Sequence, residues 1–248
     1  MAILDDLVAQ TAKAVNEEIS LGDEMFANNN LEHYLNVGRS ALRSVLLAMW
    51  GAGKNEFHQI LDLPCGHGRV LRILKAAFPD AELTACDILR DGVDFCARMF
   101  GARPIYASAV ADPALFDRTF DLIWCGSLLT HLDAPRWPEF LDLFQGLLCP
   151  GGVLVFTTHG RRVAEWMRVG RSNHGLDEPS LAAVLSDYER QGFGYSNYQA
   201  EAGYGISLTS PAWTCNQLVR IPGLRLRMYN EAAWDNHHDV IACTKESL

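Results

Sequence analysis

The chain has 248 residues, 49% of them apolar and 21% charged, with a formal net charge of −9. That is the balance of a globular protein with room for one large domain or two small ones. The acidic excess argues against nucleic acid as a partner, and apolar stretches broken by charge or glycine give no membrane span.

The opening MAILDDLVAQ lacks the basic start of a secretory leader. The seven cysteines show no CxxC pair, and most sit in apolar runs. Reduced, buried thiols and a cytoplasmic location are expected. Residues 1–55 read as helices, most clearly from Gly38 to Trp50, where Ala41, Leu42, Val45, Leu46 and Met49 recur at helical spacing.

Strands and helices then alternate. His58 to Leu63 reads as a strand, Arg69 to Phe78 as a helix stopped by Pro79, and Glu82 to Asp87 as a second strand. Asp91 is expected to cap a helix that reaches Phe100, with Gly101 after it. Strands follow at Pro104 to Ala109 and Phe120 to Cys125, then a helix at Pro138 to Leu148. Cys149-Pro150-Gly151-Gly152 reads as a turn and Val153 to Thr158 as a fifth strand. These strands are apolar throughout, as in a parallel sheet covered by helices on both faces. The pattern predicts a doubly wound α/β core over 56–160, with its ligand beyond the carboxyl ends of the strands.

Residues 161–209 are richer in Gly, Tyr, Ser and charge, with one helix from Glu178 to Arg190 between Asp177 and Gly192. They read as a substrate-side insertion too short to bury a core of its own. Within 210–248, a helix at Ser210 to Val219 precedes two strands, Leu224 to Tyr229 and Asp239 to Thr244, expected to pair antiparallel at the end of the sheet. His237 and His238 read as neighbours on a strand, pointing to opposite faces, so no metal site is expected.

The stretch ILDLPCGHGRV, residues 60–70, ends the first strand in a glycine turn before a helix. Such a turn lets backbone amides approach a ligand. Asp87 ends the second strand, where an acid can take both hydroxyls of a ribose. A dinucleotide loop would carry a third glycine where Leu71 stands, and Asp62 would repel a pyrophosphate. Asp62 suits an ammonium group instead. An amino group near Asp62 and a ribose near Asp87 together describe S-adenosylmethionine.

Four segments in order, ILDLPCGHGR, LTACDIL, FDLIWCGSLLTHL and LLCPGGVLVFTT, resemble the class I S-adenosylmethionine-dependent methyltransferases. The resemblance covers residues 30–160 well and the last two strands loosely. It implies a mostly parallel seven-stranded sheet with an antiparallel last strand. It also implies N-terminal helices that cover the cofactor, a product S-adenosylhomocysteine, no metal, and methyl transfer to an oxygen or nitrogen of a small molecule. The closing EAAWDNHHDVIAC resembles members that act in sugar or specialised-metabolite pathways.

The cofactor is expected against Asp62, the loop Pro64, Cys65, Gly66 and Gly68, and the pair Asp87 and Ile88. Pro64 stands where the family has a glycine, and Ser108 or Ala109 replaces its acid after the third strand. Cys125, Gly126 and Ser127 are expected beside the reacting sulfonium, and the resemblance brings Tyr34 over the carboxylate end, with Arg39 or Arg69 as its cation. His131 is the first candidate for a general base, followed by His159 and Tyr204. A nicotinamide-dependent oxidoreductase and a non-catalytic cofactor-binding protein are the alternatives. Oligomeric state is not legible.

Overall fold

The computed structural model describes residues 2–26, 29–199 and 201–246, without the side chains of 201 and 202. Helix α1 spans Ala2–Ala12 and α2 spans Leu31–Gly51. The core then runs β1 Gln59–Asp62, α3 Leu71–Ala77, β2 Glu82–Asp87, α4 Arg90–Phe100, β3 Arg103–Tyr106, β4 Phe120–Cys125, α5 Arg136–Leu147 and β5 Leu148–Thr158. After it come α6 Arg161–Arg168, α7 Glu178–Gln191, β6 Phe193–Tyr198, β7 Glu201–Thr209, α8 Pro211–Leu218, β8 Leu224–Trp234 and β9 His238–Lys245.

Seven strands form one sheet in the order β3-β2-β1-β4-β5-β9-β8. Strands β1 to β5 pair in parallel, whereas β9 runs antiparallel to both β5 and β8. Side-chain alternation divides each apolar strand between two cores. On β4, Leu122 and Trp124 join the core under α1–α4, while Ile123 and Cys125 join the core under α5. Continuous apolar runs are therefore the signature of a sheet with no solvent face. Because β9 is antiparallel, its first residues stand beside the carboxyl end of β5, with Thr158 opposite Asp239.

Several boundaries differ from expectation. Helix α2 begins earlier, because the Asn30 side-chain oxygen accepts the His33 N–H at 3.0 Å. Asp91 is not the cap of α4. Leu89 holds that position, and Asp87 Oδ1 accepts its N–H at 2.9 Å. The Cys149–Gly152 turn lies inside β5 as an irregularity, where pairing passes from Phe120–Leu148 to Leu122–Val153.

The insertion also holds more structure than expected. Its hairpin β6–β7 supplies the second layer that one helix could not, and Val163, Ala164, Met167, Leu176, Val184, Tyr188, Ile206 and Leu208 close a small core. The Gly- and Tyr-rich sequence hid that hairpin.

The two loop glycines serve different ends. Gly68 has φ +77°, and a Cβ there would lie 2.5 Å from the Phe100 ring and 3.0 Å from Cys96 Sγ. Gly101 also has positive φ, but an added Cβ would meet nothing within 4 Å. Gly68→Ala is expected to cost about 3 kcal/mol, from left-handed strain plus overpacking. Gly101→Ala is expected to cost about 1 kcal/mol, from strain alone. Urea denaturation of the two variants measures the difference, and equal losses would remove the packing role from Gly68.

Candidate active site

Asp62 ends β1 at 1% exposure, and neither carboxylate oxygen has a hydrogen-bond partner. Burial pushes its pKa well above the usual carboxylate range, and the nearby Asp87 charge adds to this. The Leu71 amide acts the other way without closing a hydrogen bond. A buried, unpaired acid at the end of a central strand is costly unless a ligand brings a donor.

Asp87 is held across the turn. Its Oδ2 accepts the Gly66 N–H at 2.7 Å and its Oδ1 the Leu89 N–H at 2.9 Å. Each oxygen keeps a further lone pair for a diol. Asp87 is thus both a helix-initiating acid and an available acceptor.

Gly66, at φ +49°, has nothing within 4 Å of where its Cβ would be, so this part of the loop faces open space. Gly68 does not, since its missing side chain makes room for Phe100 and Cys96. Pro64 is half-buried, and Ile88 stands 59% exposed next to Asp87. Ser108 and Ala109 lie in the exposed loop after β3, where the Ala109 carbonyl accepts from Arg136 Nη2 at 2.5 Å.

Cys65 and Cys125 are both buried. Cys65 turns into the α1–α4 core and Cys125 into the α5 core, so only their backbones remain for a ligand. Burial pushes the Cys125 thiol up, and a hydrogen bond with Cys96, then burial, does the same for Cys65. Gly126 is pinched between two indoles, where a Cβ would lie 2.8 Å from Trp124 Nε1 and 3.0 Å from the Trp234 ring. Ser127, at φ +59°, donates its N–H to Thr157 Oγ1 at 2.9 Å.

The N-terminal segment crosses the loop. Buried Arg72 donates to the carbonyls of Asn16 and Glu18 at 3.0 Å each and to that of Gly68 at 3.1 Å. The Tyr34 hydroxyl donates to Asp23 Oδ2 at 2.5 Å. Arg39 lies outside, bonded to Asn36 and lining a surface groove between α1 and α2. Arg69 is the inward cation, 6.0 Å from the Tyr34 ring and 5.8 Å from that of Trp234. Among the described residues no hydrogen bond reaches its guanidinium, and burial lowers its pKa. Asp62 and Arg69 thus place a buried carboxyl group and a guanidinium at the two ends of one turn.

Histidines gather at the other end. His131 Nδ1 lies 2.7 Å from the Gly205 carbonyl, and its ring stacks on Tyr204 at 4.7 Å. A carbonyl only accepts, so Nδ1 carries the proton and Nε2 is the basic nitrogen. His159 directly follows β5 at 3% exposure, its Nε2 3.2 Å from His238 Nε2.

His237 is not on the strand. It closes a turn in which Asp235 and Asn236 have positive φ, and β9 starts at His238. The expectation that the adjacent pair diverges therefore fails, and one nitrogen from each of His159, His237 and His238 lies within 4.8 Å of the others. Burial and mutual repulsion push His159 and His238 well below the usual histidine range, and burial then His174 push His237 down to about 4. Neither His174 nor this convergence was legible, since it depends on how a turn and the insertion fold back.

Residues 61–154 match the family described as a methyltransferase domain. A fatty-acid O-methyltransferase of Mycolicibacterium smegmatis is 31% identical over 46% of this chain and 42% of its own length. A trans-aconitate 2-methyltransferase of Methylobacterium radiotolerans is 37% identical over 38% of this chain and 35% of its own. The matches thus span about two fifths of these relatives' length. The fold of Streptomyces venezuelae DesVI superposes over 93% of this chain and all of its own, with TM-score 0.58 at 14% identity.

Asp62→Asn tests the orphaned acid. A pKa raised above the unfolded ~3.9 means that the native state holds the proton longer, so stability falls as pH rises past that value. The ligand-free Asn variant is expected to be at least as stable as the parent at pH 7, by urea denaturation. Its affinity for S-adenosylhomocysteine should fall about tenfold or more. Unchanged binding would take Asp62 out of the site.

Proposed function

We propose that the chain is a class I S-adenosylmethionine-dependent methyltransferase, a reading supported by the methyltransferase-domain match at residues 61–154, and that it methylates an oxygen of a small acidic or hydroxylated molecule. The observation that carries this reading is the buried, unpartnered Asp62 carboxylate beside the open face of Gly66. S-adenosylmethionine supplies a methyl carbon on a positively charged sulfur, open to in-line displacement.

The chain's own residues have defined tasks in this reading. Asp62 takes the ammonium and Arg69 the carboxylate of the amino-acid end. Asp87 accepts from the ribose hydroxyls, Gly66 brings backbone close to the nucleoside, and the exposed Ile88 covers the base. Two nearby carboxylates oppose a pyrophosphate, which disfavours the nicotinamide alternative.

At the acceptor end, positioning and exclusion of water do most of the work. The loop after β4 is clasped to β7 by His131–Gly205 and by Ser207 Oγ donating to the Leu129 carbonyl at 2.9 Å. The insertion thereby fixes His131 and walls the cleft with Tyr198 and Tyr204, each within 6.0 Å of the His131 ring. A hydroxyl acceptor gives its proton to His131 Nε2, whereas a carboxylate needs no base. The relatives that act on a fatty acid and on trans-aconitate favour oxygen acceptors that include acids.

Calorimetry with S-adenosylhomocysteine is expected to show one site, and Asp87→Ala should weaken it by about 1–3 kcal/mol. A folded protein that gives no heat overturns the reading. With a hydroxyl acceptor and radiolabelled methyl donor, His131→Gln should lower turnover ~10²–10⁴-fold and leave S-adenosylhomocysteine affinity unchanged. Unaltered turnover would remove His131 as base.

A further inference from the structure

We propose that His159, His237 and His238 bind one divalent transition-metal ion of the zinc class at the acceptor end of the cleft. The metal site rests on the histidine geometry alone, and its relation to the acceptor rests on the methyltransferase reading above.

One nitrogen of each imidazole lies within 4.8 Å of the other two. His159 Nε2 and His238 Nε2 are 3.2 Å apart, close to the roughly 3.3 Å between two nitrogens on one tetrahedral zinc with ~2.0–2.1 Å bonds. The tightest pair therefore has the spacing that a shared ion imposes.

A purely structural cluster accounts poorly for the remaining nitrogens. If the 3.2 Å contact is an N–H···N bond, His237 Nε2 still stays buried without a partner. A buried polar atom of this kind calls for one. A cation that takes a lone pair from each ring accounts for the convergence of the three rings.

The surroundings resemble an outer ligand shell. His238 Nδ1 lies 3.1 Å from Thr157 Oγ1, which fixes the ring from behind. Trp166 and His174 stack on the His237 ring at 5.2 and 5.5 Å. Asp239 lies outside the three converging residues, its two oxygens accepting from Tyr229 Oη and the Ala232 N–H at 2.9 Å each.

Three neutral nitrogens without carboxylate or thiolate favour zinc, cobalt, nickel or copper over magnesium or calcium. Three protein ligands leave a fourth position on the ion. At the carboxyl end of β5 that position suits an acceptor oxygen, so the site selects acids or hydroxyl compounds able to coordinate.

The test is titration of chelator-treated protein with Co2+ alone, read by the visible bands of a tetrahedral nitrogen-ligated ion. One equivalent is expected to bind, with Zn2+ displacing it. His237→Ala should weaken Co2+ binding by more than the ~10–100-fold of an outer-shell change. His159→Ala should abolish the bands. Should His159→Ala not fold, His237→Ala decides, because its turn is half-buried and outside the sheet. Titration of the same samples with S-adenosylhomocysteine reports whether the cleft is intact. Absence of tetrahedral bands in a sample that binds S-adenosylhomocysteine overturns the proposal, as do bands that persist in His237→Ala. Tetrahedral Co2+ without S-adenosylhomocysteine binding would keep the metal site and remove the methyltransferase reading.

Discussion

A carboxylate buried without a partner at the end of β1 constrains everything around it. Asp62 cannot be relaxed by water at 1% exposure, and its neighbour Asp87 repels it. Such an arrangement persists only where the surrounding structure over-determines it, and here it does. Asp62 is fixed by the parallel ladders to β2 and β4. Asp87 is fixed by two backbone amides, one from the glycine turn and one from the start of α4. The sheet thus holds two carboxyl groups at one crevice, and a donor or positive charge brought there relieves the cost of the buried one.

Much of this was legible because it follows from local rules. Apolar runs of strand length, glycine turns after them and helical spacing between them require only neighbours in sequence. The succession of β1 to β5 along the chain and the antiparallel pairing of β8 with β9 were readable in those runs. The central acid was readable for the same reason, since Asp62 and Asp87 each end an apolar run.

What escaped the sequence depends on distant segments meeting. Nothing in the sequence sets Arg72 apart, yet it is buried and meets the carbonyls of residues 16 and 18. The β6–β7 hairpin is rich in Gly, Tyr, Ser and Asn, without the β-branched alternation that marks a strand, and tertiary packing against α7 overrides weak propensity. His237 and His238 were separated by the assumption that both lie on one strand. Two positive-φ residues before them end that assumption.

The two ends of the crevice are consequently built by different logic. The end at Asp62 and Asp87 uses strand termini and turn backbone of the 61–154 domain, positions dictated by the fold itself. The far end is assembled from the insertion and the last hairpin: His131 held by Gly205, His159 facing His238, Tyr198 and Tyr204 around them. Apolar cores tolerate wide substitution if pattern and volume are kept, which explains a shared fold at 14% identity. The far end is tied together by contacts between segments far apart in sequence, 74 residues for His131–Gly205 and 79 for His159–His238. The clasp between the β4 loop and β7 joins the insertion to the carboxyl end of β4.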